Sequence, residues 1–166
     1  TTVGQSHVLP PGLRTEAGAH AVLIRLVTQA AATLRRIGYW AQHLGVYLSF
    51  SHREEGWSGS VALGCCQDTM TMIEAFEQLW QFRPNGISPK HVAVTLFGLT
   101  ADGSTTQPLF AGQRRRVSLS KAMDRINGRF GRDVIYFAGM HGMRDTAPTR
   151  IAFSQIPDAV DFDPTL

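Results

Sequence analysis

Thirteen carboxylates, six histidines and two cysteines are the side chains here that could move protons, hold a metal or attack a substrate. Two-metal phosphoryl transfer needs carboxylates gathered so that bound cations face the phosphates. In this sequence they are scattered: Glu54 and Glu55 in a turn, Glu74 and Glu77 on one helical stretch, Asp158, Asp161 and Asp163 near the end. Each reads as a solvated or capping residue. No phosphate-cradling Walker loop, HExxH, GxSxG or paired-cysteine zinc pattern occurs. The histidines are equally dispersed, and His141, close to Gly139 and Gly142, reads as a loop residue. Adjacent Cys65 and Cys66 lack the geometry for a mutual disulfide and the spacing of a metal site, so they read as small apolar residues at a strand end. No catalytic site, metal site or bound cofactor is therefore expected in this chain, and its chemistry should be that of binding.

Binding residues need elements to position them. With 166 residues, 43% hydrophobic and 17% charged, the chain is expected to fold as one domain. Sixteen basic residues exceed the acidic ones by only three, so a polyanionic partner must be argued from clustering. With no disulfide framework, no apolar run of about 18 residues and no signal peptide, a cytoplasmic protein is the default, with no membrane partner and a monomeric state expected. The first residues, TTVGQSHVLPP, lack an initiator methionine and look structured, so a processed chain or a fragment is expected.

Residues 5–9 read as a short strand stopped by Pro10 and Pro11. Across residues 20–37, Val22, Leu23, Leu26, Val27, Ala30, Leu34 and Ile37 recur at helical spacing before Gly38. Val46, Leu48 and Phe50 then alternate with Tyr47, Ser49 and Ser51, and a charged turn at residues 52–56 leads to a second strand over 57–64, making a hairpin. A second helix carries Met72, Ile73, Phe76, Leu79 and Trp80, with Asp68 and the Thr71/Glu74 box as competing caps. A strand follows in which Val92, Val94 and Leu96 oppose His91, Ala93, Thr95 and Phe97. Residues 100–117 read as a surface loop, and Ser118 as the cap of a third helix with Leu119, Ala122, Met123, Ile126 and Phe130 as its stripe. Residues 134–137 and 150–156 read as short terminal strands.

The predicted class is α+β: a split βαβ-type sheet of about four strands with two helices on one face, plus a C-terminal helix and short strands. That leaves the other sheet face open, and alternation places Tyr47, Ser49, Ser51, Ser58, Ser60 and Thr95 on it. Small hydroxyl-bearing residues with little acidic charge let a phosphate backbone come close. Solvated positions of a one-sided sheet have the same composition.

In the segments TVGQSHVLPP, CQDTMTMIEAFEQLW, SPKHVAVTLFGL, QPLF and SLSKAMDRINGRFG, the chain resembles the C-terminal part of bacterial Y-family DNA polymerases of the DNA polymerase IV and mutagenesis-protein type. The resemblance spans residues 1–137, with residues 138–166 expected as an extension of the same domain. It implies a little-finger domain, itself non-catalytic, that holds an error-prone translesion polymerase on primer–template duplex. It also implies that the catalytic domains and their magnesium belong upstream of Thr1. The alternative is a protein-interaction module of a catalytically inactive polymerase-like subunit.

On that basis the expected DNA contacts are Thr2, Gln5, Ser6 and His7 at the start, Tyr47, Ser49, Ser51 and Arg53 on the hairpin, and Lys90, His91 and Thr95 on the later strand. Arg114, Arg115 and Arg116 either add a mobile basic loop or form a solvated charge run. The peptide Gln107-Pro108-Leu109-Phe110 resembles the family's sliding-clamp motif, which has glutamine first and Leu-Phe last, but is one residue shorter. Gln107, Leu109 and Phe110 would then touch the clamp; otherwise Leu109 and Phe110 pin the loop to the domain's own core.

Overall fold

The computed structural model describes residues 1–86, 88–106 and 108–141. In chain order these form β1 (Val3–Val8), α1 (Glu16–Arg36), β2 (Tyr39–Phe50), β3 (Trp57–Cys66), α2 (Thr69–Trp80), β4 (Pro89–Phe97), β5 (Thr100–Ala101) and α3 (Ala111–Phe130). The fold is α+β, as expected. Thr15 starts α1 earlier than the apolar stripe implies, its hydroxyl accepting from the Gly18 amide at 3.0 Å. Gly38, at φ +73°, ends it. At α2 the competition between caps goes to Asp68, whose carboxylate accepts from the Thr71 amide at 2.8 Å.

The main sheet runs β1-β4-β2-β3, with every neighbouring pair antiparallel, and β5 adds to the far end of β2. Since β1 and β2 each run against β4, they are parallel to each other, and α1 crosses between them. By the same logic α2 links the parallel strands β3 and β4 with β2 between. Each helix thus spans a split βαβ unit, and both cover the same face. Val22, Leu23, Val27 and Leu34 of α1 and Met72 and Phe76 of α2 are buried against Leu44, Val46, Leu48, Val92, Val94 and Leu96. The 21-residue α1 is apolar and long enough to cross a bilayer, yet its apolar face is the core of this domain.

Several expectations change after β4. Residues 100–117 are not one loop: β5 is followed by a single helical turn at residues 102–104, and α3 begins at Ala111 rather than beside Ser118. Gln113 through Arg116 are good helix formers, so helix runs back through the basic run. Nor does the apolar stripe of α3 bury itself, for Leu119, Ile126 and Phe130 stay exposed and Ser120 is the buried position among the described residues of this helix. What docks α3 is polar. Arg35 donates to both Asp124 oxygens at 2.6 and 2.8 Å, to the Gln67 carbonyl at 2.9 Å and to the Thr69 hydroxyl at 3.0 Å. The Thr69 amide donates to the Ser120 hydroxyl at 3.1 Å. Residues 134–137 form no strand, because the Asn127 side chain takes both backbone groups of Ile135 at 2.9 Å in place of a partner strand. The expected strand over 150–156 lies outside the described residues.

Candidate nucleic-acid interface

Strand register decides which residues share the face that the helices leave open. Residues opposite each other in a ladder project to the same side. Four rows cross the sheet there. Gly4, Thr95, Gly45 and Ser60 form one, and Ser6, Ala93, Tyr47 and Ser58 the next. Val8, His91 and Ser49 lie beyond the second, and Phe97, His43 and Ala62 beyond the first. None carries a carboxylate.

The first row is nearly bare. Gly4 and Gly45 flank Thr95 with no side chain of their own, and a Cβ on Gly45 would stand 3.4 Å from the Phe97 ring. Gly45 and Thr95, with Tyr47, Ser58 and Ser60, line a shallow depression across β4, β2 and β3. Rings border it: His43 stacks on Phe97 with centroids 5.0 Å apart, and Tyr47 tilts against His91 at 6.2 Å. Hydroxyls in these rows can donate to phosphate oxygens, while the glycines let a sugar–phosphate strand approach the backbone. No carboxylate lies on this face, and among the described residues no group of His, Cys, Asp and Glu side chains is placed to hold a metal ion together.

Of the residues expected to touch DNA, Ser6, Tyr47, Ser49, His91 and Thr95 come together on this face. Thr2 lies exposed just ahead of β1. Gln5 and His7 do not belong there: their partners Val94 and Val92 are core residues, so both side chains leave on the helix-covered side. His7 is buried, and burial first, then the nearby Arg25 and His91, pushes its pKa below the usual imidazole value. Ser51 lies past a bulge, its amide donating to the Ser88 carbonyl at 3.2 Å and its hydroxyl buried without a partner among the described residues. Arg53 is exposed in the turn between β2 and β3, beside exposed Glu54 and Glu55. The register slip opposite Ser49 and Phe50 makes Lys90 the extra residue of that bulge, exposed at the rim next to His91.

The basic run is elsewhere. Arg114, Arg115 and Arg116 sit on α3, which packs on α2 and α1 in the layer away from the open face. Arg116 donates to Glu74 at 2.6 Å, and Arg114 to the carbonyls of Pro108 and Leu109 at 3.3 and 3.1 Å. Leu109 and Phe110 are 79% and 71% exposed, so they do not pin this segment to the core. Gln107 lies outside the described residues. Gly4, Gly45, His43 and Phe97 complete the face without having been expected as contacts. The alternation of β4 already placed Phe97 beside Thr95, but the glycines have no side chain for such a pattern to register.

Residues 1–109 match the model of the impB/mucB/samB family C-terminal domain. No curated protein matches the chain at a significant level. Among solved structures, similarity is found to the complex of the beta-clamp processivity factor with the little finger domain of PolIV, at TM-score 0.49 and 16% identity over 68% of this chain and 99% of that one. The post-insertion binary complex of Dbh DNA polymerase is similar at TM-score 0.46 and 12% identity, over 60% of this chain and 29% of that one.

Proposed function

Because the chain belongs to the impB/mucB/samB C-terminal domain family, the C-terminal domain of Y-family DNA polymerases, we propose that it holds an error-prone polymerase on primer–template DNA through its open sheet face. The observation that carries this is the pair of central rows, in which every residue except Tyr47 is a glycine, an alanine or a small hydroxyl residue and no carboxylate repels phosphate. Binding of this kind reads backbone and not bases, which suits an enzyme that must act on any sequence. The domain itself contributes grip and no chemical step. The setting is a bacterial cytoplasm, and magnesium chemistry belongs to other domains of the parent protein.

Placing carboxylates on the face tests this. The double variant Thr95→Glu, Ser60→Glu keeps the helix-covered core untouched and sets two negative charges in one row. In a fluorescence-anisotropy titration with primer–template duplex, affinity should fall at least about tenfold, since like charges near phosphates forfeit counterion release. Unchanged affinity in a folded variant refutes the sheet as the DNA face.

A second contact is proposed from the exposure of Leu109 and Phe110 ahead of α3, where an apolar pair faces solvent. We read it as the anchor of a sliding-clamp docking peptide, with Gln107 fixing its register.

A further inference from the structure

The positive charge of this chain is not spread over the fold. Residues 111–132 hold seven of its Lys and Arg residues against one acid, Asp124, so the rest of the chain is net acidic. That acid is taken by Arg35, and Arg116 is taken by Glu74. Of the six cations that remain, Arg132 lies past the end of α3 and Arg115 further round the helix, while four lie on one side of it. At about 100° per residue, Arg114, Lys121 and Arg125 fall within roughly 40° of one another, with Arg129 about 40° further round, and the docked residues Asp124 and Ser120 lie about 95° and about 135° from the middle of the group. All four cations are exposed, and among the described residues neither Lys121 nor Arg125 is paired with an acid. From Arg114 to Arg129 the line runs about 22 Å at 1.5 Å per residue.

We propose that this face of α3 is a second site for a nucleic-acid sugar–phosphate backbone, outside the family-matched residues and on the opposite layer from the sheet. The choice of nucleic acid rests on the function proposed above. It is also favoured by the residues themselves: three of the four cations are arginines, whose planar fork donates two N–H groups to phosphate oxygens, and a straight line of like charge suits a regularly charged strand. An anionic membrane would have to cover the exposed strip of Leu119, Ile126 and Phe130 as well, and that strip is centred about a third of a turn away from the cations, of which Arg129 reaches it, its guanidinium 5.3 Å from the Phe130 ring centre. Because the sheet and α3 are on opposite layers, α3 would take a stretch of strand that has passed beyond the sheet.

The test is the triple variant Lys121→Gln, Arg125→Gln, Arg129→Gln, which spares Arg35, Arg116 and Asp124. Binding of primer–template DNA with a single-stranded overhang is measured over a range of salt. The slope of log K against log salt should become shallower by about 2 to 3, one contact contributing about 0.9, and affinity should fall at least about tenfold. The charge-keeping variant Lys121→Arg, Arg125→Lys, Arg129→Lys should hold the original slope, which separates charge from any loss of helix. An unchanged slope in the triple variant, with Thr95→Glu, Ser60→Glu still weakening binding, overturns the α3 site and leaves the sheet reading standing. If neither variant weakens binding, both fall. If the triple variant loses binding only to phosphatidylserine vesicles, the face is a lipid site and the proposal is wrong.

Discussion

Removing the Asp124 carboxylate should release α3 without unfolding the sheet. The pair it makes with Arg35 is bidentate, and the two side chains are 5% and 33% exposed on the Arg and Asp sides respectively. Breaking a fully buried pair costs about 3–5 kcal/mol, because the remaining charge is left without compensation. Here two features reduce that. Water reaches the aspartate, and Arg35 keeps its bonds to the Gln67 carbonyl and the Thr69 hydroxyl. We therefore expect Asp124→Ala to weaken the docking of α3 by about 2 kcal/mol, the range of charge-assisted hydrogen bonds. At 1.4 kcal/mol per decade that is roughly a thirtyfold rise in local opening. Native-state hydrogen exchange reads it directly, since the amides of α3 should exchange faster by about that factor while those of β2 and β4 keep their protection. The residual contacts of α3, through Ser120 to Thr69 and through Arg116 to Glu74, would persist in the closed state. Two results would refute the reasoning: unchanged exchange in α3, or equal acceleration in the central strands, which would make the pair part of one global unit.

The apolar pair ahead of α3 is solvated, so Leu109→Ala with Phe110→Ala should leave Tm within a few degrees of the parent and abolish capture by an immobilised sliding clamp. A large drop in Tm with clamp capture retained would reject the docking peptide. Because the His7 pKa is depressed by burial, the unfolded chain binds its proton at higher pH than the folded one. Stability should consequently decline as pH falls below the ordinary imidazole value of 6.5, and keep declining until the folded-state pKa is passed. Urea midpoints at about pH 7.5 and pH 5.5 should converge in His7→Leu relative to the parent, and an identical pH dependence in the two would show that His7 does not carry the effect.

Local periodicity was enough to read α1, α2, the β2–β3 hairpin and the alternation of β4, because each buries one face and the apolar residues mark that face. It also placed Tyr47, Ser49, Ser51, Ser58, Ser60 and Thr95 together on the open side, and register bears this out for all but Ser51, which a bulge after Ser49 removes from the row. β1 could not be read this way. Val3 and Val8 stand at opposite phases of a short strand whose other members are glycine and polar residues, so no face is marked, and only the pairing with β4 sends Gln5 and His7 to the core and Gly4 and Ser6 outward. The docking of α3 was equally hidden. It depends on Arg35 meeting Asp124 across 89 positions of chain, and its visible apolar stripe faces solvent instead. A sequence pattern reports which side of an element avoids water; which element meets it there is decided by contacts between residues far apart in the chain, which no local pattern encodes.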